Sequence, residues 1–407
     1  MKNVALMICL TAPMWGQKFV QRGYVETRGL VYPDTVPGDS SNGVGEVVAR
    51  WDVTYRLSDA WKVSGAVDAR VDTHRQDERD FRLDWQDRSA RRPNLSLRRF
   101  STSYHKGRLT LEFGKQFIRW GKADILNPTD RFAPKDFLEI INTDYLGVLA
   151  ARAIYEAGSH TFDLVYTPRM TPSRGPLPNQ RWVVMPDNLP GLSVVDNGTR
   201  YPGGGQAGVR WNFLGPGFEM STSFFEGYNH LPSVEPRLVP LQPFAVGMTR
   251  FYPRLRFYGA DAAVPLKWFT VKGEAGYFTS SNRQTDEFLL YVLQLERQQG
   301  EWSFVGGYAG EYVTEGRNPW FFAPDRGIAR TFLGRIGYTI DTNRSVAIET
   351  AVRQNGDGAY LKGEYSQAFG QHWRTTAGFV LLRGNRTDFL GQYKSNSHLL
   401  ATMRYSF

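Results

Sequence analysis

Over most of its length the chain alternates apolar and polar residues one for one, a period of two that suits strands and little else. The clearest pair sets Val47, Ala49, Trp51, Val53 and Tyr55 against Val48, Arg50, Asp52, Thr54 and Arg56. After a short break, Trp61, Val63, Gly65, Val67, Ala69 and Val71 stand against Lys62, Ser64, Ala66, Asp68, Arg70 and Asp72. Each face stays continuous for about ten residues, the length a tilted strand needs to cross a bilayer. The final stretch repeats the pattern, with Leu399, Ala401, Met403, Tyr405 and Phe407 on one parity and Leu400, Thr402, Arg404 and Ser406 on the other.

Counting such segments predicts about 18 strands, with 16 the alternative, an even number as single-chain bacterial barrels require. One segment is read with Leu109, Leu111, Phe113 and Phe117 outward. Connections alternate between short turns, such as 106–108, 157–159 and 298–300, and long loops, such as 73–94, 121–147, 168–204 and 229–253. The expected fold is all-β, a transmembrane antiparallel β-barrel with long extracellular loops and short periplasmic turns. It forms a single domain over 17–407, with no plug domain ahead of the first strand.

No window holds 18 consecutive apolar residues, which excludes helical membrane spans. Lys2, the apolar run 4–12 and Gly16 read as a signal peptide over 1–16. Cys9 lies inside that run, so the mature chain has no thiol for catalysis, disulfides or metal binding. The net charge of +9 is spread singly along strands and interleaved with acids, unlike a phosphate-binding patch, so nucleic acid is not an expected partner.

The parity opposite each apolar row places many charges in the lumen. They include Arg50, Asp52, Asp68, Arg70, Glu112, Arg152, Arg210, Arg256, Lys272, Glu274, Arg335, Glu349, Arg353, Lys362, Glu364, Arg374 and Arg404. Charges of both signs on neighbouring strands pair and stay hydrated, and so wide a barrel is not filled by its own side chains. Passive diffusion of small solutes follows from that geometry, and each charge taken singly is also an ordinary cross-strand partner.

The most informative loop follows Gly114-Lys115-Gln116. Gly121 frees the backbone after Trp120, while Pro128 and Pro134 rigidify two turns beside Asp130 and Asp136. Trp120, Lys122, Asp124, Asn127, Asp130 and Arg131 are candidates for a constriction folded into the mouth; packing on the rim is the competing placement. The pattern Gly-Lys-Gln, Trp120-Gly121, Asp124, Asn127-Pro128 and Asp130 resembles a segment of uncharacterised porin-like barrel proteins. That resemblance implies an outer-membrane barrel, potentially a channel, with these residues as a structural hallmark and no established substrate. The terminal strand ending at Phe407 likewise resembles those of bacterial outer-membrane barrels. It implies the bacterial outer membrane as location, with membrane lipid and the barrel-assembly machinery as partners.

Six well-separated histidines show no metal spacing, and no phosphate-binding glycine loop is present, so neither an enzyme nor a cofactor is expected. Ser397-His398 is the one pair placed to serve as nucleophile and base. The leading expectation is a porin-like channel for small solutes. A transporter of hydrophobic substrates and a non-conducting adhesion or structural barrel are the alternatives, and a homo-oligomer is left open.

Overall fold

A computed structural model describes residues 18–124, 126–183, 193–239, 245–317 and 323–407. The expected signal peptide and Cys9 lie outside the described residues. The main sheet has nineteen strands, one of them only the two-residue Leu83–Asp84, which leaves eighteen in the wall. In chain order these are β1 (Phe19–Val31), β2 (Gly43–Arg56), β3 (Trp61–Asp72), β4 (Leu95–Lys106), β5 (Leu109–Gln116) and β6 (Val148–Ala157). Next come β7 (His160–Thr167), β8 (Gln206–Gly215), β9 (Phe218–Tyr228), β10 (Arg254–Pro265), β11 (Thr270–Thr279) and β12 (Glu287–Gln299). The last are β13 (Trp302–Glu315), β14 (Thr331–Thr339), β15 (Arg344–Arg353), β16 (Gly358–Phe369), β17 (Trp373–Gly384) and β18 (His398–Ser406).

Each wall strand pairs antiparallel with its sequence neighbour, and β18 returns to β1 with Tyr405 opposite Val25. Closure leaves no free edge in the wall. Short turns gather at one end and long loops at the other, as the alternation of connection lengths predicts.

The outer face is apolar and exposed, with Trp51, Phe100, Phe113, Leu164, Phe332, Ile348, Leu399 and Met403 among its members. Large apolar side chains left open over a whole wall suit lipid as the surrounding solvent. The buried apolar clusters lie on the opposite side of the wall. Ile118, Trp120, Ala123, Leu126 and Phe132, all from the 117–147 loop, pack with Phe225, Leu255, Phe257, Phe278, Leu290 and Val292.

That inward packing corrects two expectations. In β10 the inward residues are Leu255 and Phe257, both buried, so Arg256 takes the other parity and points outward. Its side chain is 59% exposed and reaches Glu226 at 3.5 Å, alongside Arg254. Alternation alone does not say whether an oily row meets lipid or an inserted loop. Phe117 likewise lies beyond the end of β5, beneath the Arg98 guanidinium at 5.4 Å, and not on the outer wall.

Candidate functional site

The 117–147 loop leaves the wall early because β5 stops after eight residues. Gly114 has φ +118°, and a Cβ there would sit 2.3 Å from the Phe100 carbonyl oxygen, so only glycine permits the exit. Lys115 then meets Asp87 at 2.5 Å, and Gln116 donates to the Ala150 carbonyl at 3.2 Å.

Inside the barrel the loop first folds on itself. One Asp130 carboxylate oxygen accepts the Trp120 and Gly121 amides at 2.6 and 2.7 Å. Gly121 lies so close to Asn127 that a Cβ would approach its side chain to 2.7 Å, while the Asn127 amide donates to the Ala123 carbonyl. Trp120 donates from its ring to Asp163 at 2.9 Å and meets Phe132 edge-on at 5.3 Å. The residues that carry the resemblance therefore build the shape of the loop. Burying each large apolar side chain contributes roughly 1.5–3 kcal/mol.

The loop then reaches the wall several strands away. Glu274 on β11 accepts the Lys122 and Ala123 amides at 3.0 and 3.2 Å through one oxygen. Its other oxygen accepts the Thr129 amide and hydroxyl, both at 2.8 Å. Gln294 on β12 accepts the Asp124 amide at 3.0 Å. The Lys122 ammonium lies 2.9 Å from Glu219 and 3.0 Å from Asp261, and Asp124 lies 3.3 Å from Lys272. Of the six constriction candidates, Lys122 and Asp124 thus present charged groups to lumen-facing residues. Trp120, Asn127 and Asp130 are buried within the loop. Arg131 lies over Phe278 and Phe257 at 4.8 and 5.4 Å.

The second half of the loop is held by ions. Asp136 receives Arg92 and Arg174, each at 2.9 Å; Glu139 receives Arg28 of β1 at 2.6 Å; Asp144 receives Arg98 at 2.6 Å. Burial alone would raise the Asp136 carboxyl, but the two guanidiniums outweigh it and hold it well below the usual carboxylate range. Glu139 is also buried, yet Arg28 brings its pKa down to about 2. None of these long-range anchors carries a local sequence signal. The arginines on 88–99 would have been found only by asking which loop charges lack a neighbour of opposite sign.

The other expected lumen charges pair across the wall. Arg50 meets Asp68 at 2.7 Å, Arg70 meets Glu46 at 2.6 Å, Arg152 meets Asp163 at 2.6 Å and Arg210 meets Asp261 at 3.0 Å. Lys272 meets Glu296 at 2.5 Å, Arg335 meets Glu349 at 4.0 Å, Lys362 meets Glu364 at 2.7 Å and Arg404 meets Glu26 at 2.7 Å. Glu112 accepts from Ser101 at 2.7 Å, Arg353 meets Asp388 at 2.8 Å, and Asp52 stands opposite Arg22 in register. Arg374, opposite Arg404, makes no ion pair among the described residues.

Open space remains beside the loop. A cavity of about 400 Å³ lies against the inner faces of β1 and β14–β18, lined by Arg28, Arg335, Lys362, Arg374 and Arg404, with Glu26 and Glu364. Toward the long-loop end, a vestibule of about 820 Å³ is lined by Tyr201, Tyr252, Phe389, Arg88 and Arg250. Ser397 and His398 do not act together. The serine hydroxyl donates to the Leu382 and Lys394 carbonyls, and His398 directs Nδ1 at the Asn396 carbonyl.

No protein-family model and no curated protein matches the chain. Solved structures do. Acinetobacter baumannii OccAB4 aligns over 97% of this chain and 100% of its own, with TM-score 0.56 and 10% identity. A BenF-like porin from Pseudomonas fluorescens Pf-5 aligns over 96% and 97%, with TM-score 0.55 and 8% identity. Pseudomonas aeruginosa OpdQ aligns over 96% and 98%, with TM-score 0.51 and 8% identity. At such identities the likeness is one of fold, which this chain shares with those proteins over nearly its full length.

Proposed function

We propose that the protein is a bacterial outer-membrane channel through which small polar solutes diffuse passively, with weak preference for anions. The observation that carries this reading is the division of the lumen. The 117–147 loop crosses the lumen, pinned to Glu274 on one side and packed through Phe137 and Ile140 against β15–β17 on the other, and beside Ile141 and Asn142 it leaves a cavity along β1 and β14–β18. On this reading Lys122 and Asp124, whose charged groups pair with Glu219, Asp261 and Lys272 on the wall, are the candidates for a constriction. Five cationic side chains face two carboxylates along the cavity, so the local field favours anions while the acids keep the preference weak.

Purified full-length chain in a planar bilayer is expected to give ohmic single-channel steps, with a reversal potential displaced toward the anion side in a salt gradient. A barrel that inserts and stays silent in repeated trials defeats the reading. A clear cation preference removes the assignment of the basic arc. The aromatic lining of the outer vestibule favours a second reading, the uptake of more hydrophobic solutes. Under it, an aromatic solute blocks the current at lower concentration than an aliphatic one of equal charge.

A further inference from the structure

We propose that the loop between β3 and β4 is a lipid anchor whose apolar stripe enters the outer leaflet and whose arginines bind the phosphates of a phosphorylated glycolipid. The inference rests on the outer-membrane placement above, but not on conduction. Where β5 leaves the wall, Leu83–Asp84 runs parallel beside the upper end of β4, with Leu83 opposite Leu95 and Asp84 opposite Ser96. Leu95 in turn stands opposite Ala69, and Ser96 opposite Asp68. Leu83 therefore shares the outer face with Ala69, and Asp84 shares the inner face with Asp68. The loop supplies a surrogate piece of wall.

Phe81, Leu83 and Trp85, two residues apart, are 85, 50 and 45% exposed, and the stripe continues the lipid-facing row that holds Val71 and Phe100. No intramolecular packing accounts for so much open aromatic surface on an ordered segment. The same loop carries Arg75, Arg79, Arg82 and Arg91, all exposed and none in an ion pair among the described residues. The other arginines of this stretch are engaged, Arg92 by Asp136 and Arg88 by the Met170 carbonyl at 2.9 Å. Of the acids nearby, Asp84 accepts the Gln86 and Asp87 amides, and Asp77 and Asp87 are buried. Half-buried Glu78 and exposed Asp80 leave a cationic surplus beside the apolar stripe. Arginine binds phosphate with a planar fork of donors, and long basic side chains place their heads at the membrane surface while their stems lie on apolar groups. An anionic lipid headgroup above an acyl layer offers both chemistries at that spacing.

The test compares tryptic cleavage after Arg79 and Arg82 in full-length chain reconstituted into phosphatidylcholine vesicles with and without about one-tenth diphosphoryl lipid A. Cleavage after exposed Arg237, on a separate loop, is the internal reference. Lipid A is expected to slow cleavage at Arg79 and Arg82 by about tenfold or more, as for a site mostly occupied, and to leave Arg237 unchanged. Inorganic phosphate added to plain vesicles at the same phosphate concentration gives no protection. Phe81→Ser with Trp85→Ser abolishes the lipid A effect, while unchanged Arg237 cleavage reports an intact barrel. Equal rates in the two vesicles overturn the proposal, as does protection by free phosphate or full protection in the double variant. Protection in plain phosphatidylcholine that rises with protein density assigns the surface to a second copy of the chain and also overturns it. Protein that is silent in bilayers yet protected by lipid A loses the channel reading and keeps this one.

Discussion

Glu274 lies about 150 positions from the residues it holds, and its two oxygens take four donors from one short stretch of loop. Hydrogen bonds to an ionised acceptor contribute roughly 1.5–3 kcal/mol each, and orphaned amides add a penalty of similar size when they stay buried. Glu274→Ala is therefore expected to weaken loop docking by several kcal/mol, about 3 or more. Open-channel noise and mean conductance should both rise by at least about half in single-channel records. Glu274→Gln, which keeps one carbonyl acceptor, gives a smaller rise. An unchanged conductance in the alanine variant would mean that the loop holds without this contact. Arg374 and Arg256 make a second pair of tests, because the first faces the cavity and the second points out of the wall. Arg374→Glu should move the reversal potential toward cations, and Arg256→Glu should leave it where it was. Both arginines carry the same sequence signal, a cation alternating with apolar neighbours, so only the packing separates them.

Among the elements, the wall strands were legible because lipid on one side and water on the other force a period of two. The loop was legible in part. Gly114, Gly121, Pro128 and Asp130 announce a rigid excursion, and those contacts are local in sequence, as the Asp130 bonds to Trp120 and Gly121 show. Its destination was not legible, because Glu274, Gln294 and Arg28 lie on remote strands and read as ordinary inward residues. The inversion in β10 has the same origin, since Phe257 is oily for the sake of the loop and not of lipid. The ionic half of the loop has a pH signature. Asp136 has a folded pKa below its unfolded value near 3.9, so it contributes stability above that value and loses it as pH falls through the folded one. Amide exchange of residues 133–146 should hence be indifferent to pH between about 8 and 5, once corrected for intrinsic rate, and accelerate only below about 4. Loosening between pH 7 and 5 would contradict the ion-pair account. Asp136→Asn should raise exchange at neutral pH, because Arg92 and Arg174 then lose their shared anion.

At the scale of the whole molecule, one excursion of about thirty residues turns a symmetric cylinder into a barrel with an asymmetric lumen. On the β5–β13 side, charges are consumed in anchoring the loop, as with Lys122 between Glu219 and Asp261. On the β14–β18 and β1 side, Arg335, Lys362, Arg374 and Arg404 remain at the edge of open space, and Arg374 makes no ion pair among the described residues. On the channel reading, selectivity arises from one arc of wall, acting across a hydrated gap, and must fall with ionic strength. The screening length is about 10 Å at 0.1 M salt and about 3 Å at 1 M, so the arc influences ions across the passage only in dilute salt. The anion-to-cation permeability ratio from reversal potentials should be about 2–4 near 0.1 M and approach 1 near 1 M. A ratio that stays constant over that range would place discrimination in direct contact at the narrow point, with Lys122 and Asp124, and not in the field of the arc. Lys122→Gln would then remove it at every salt concentration, whereas the field account predicts that Arg374→Gln weakens it chiefly in dilute salt.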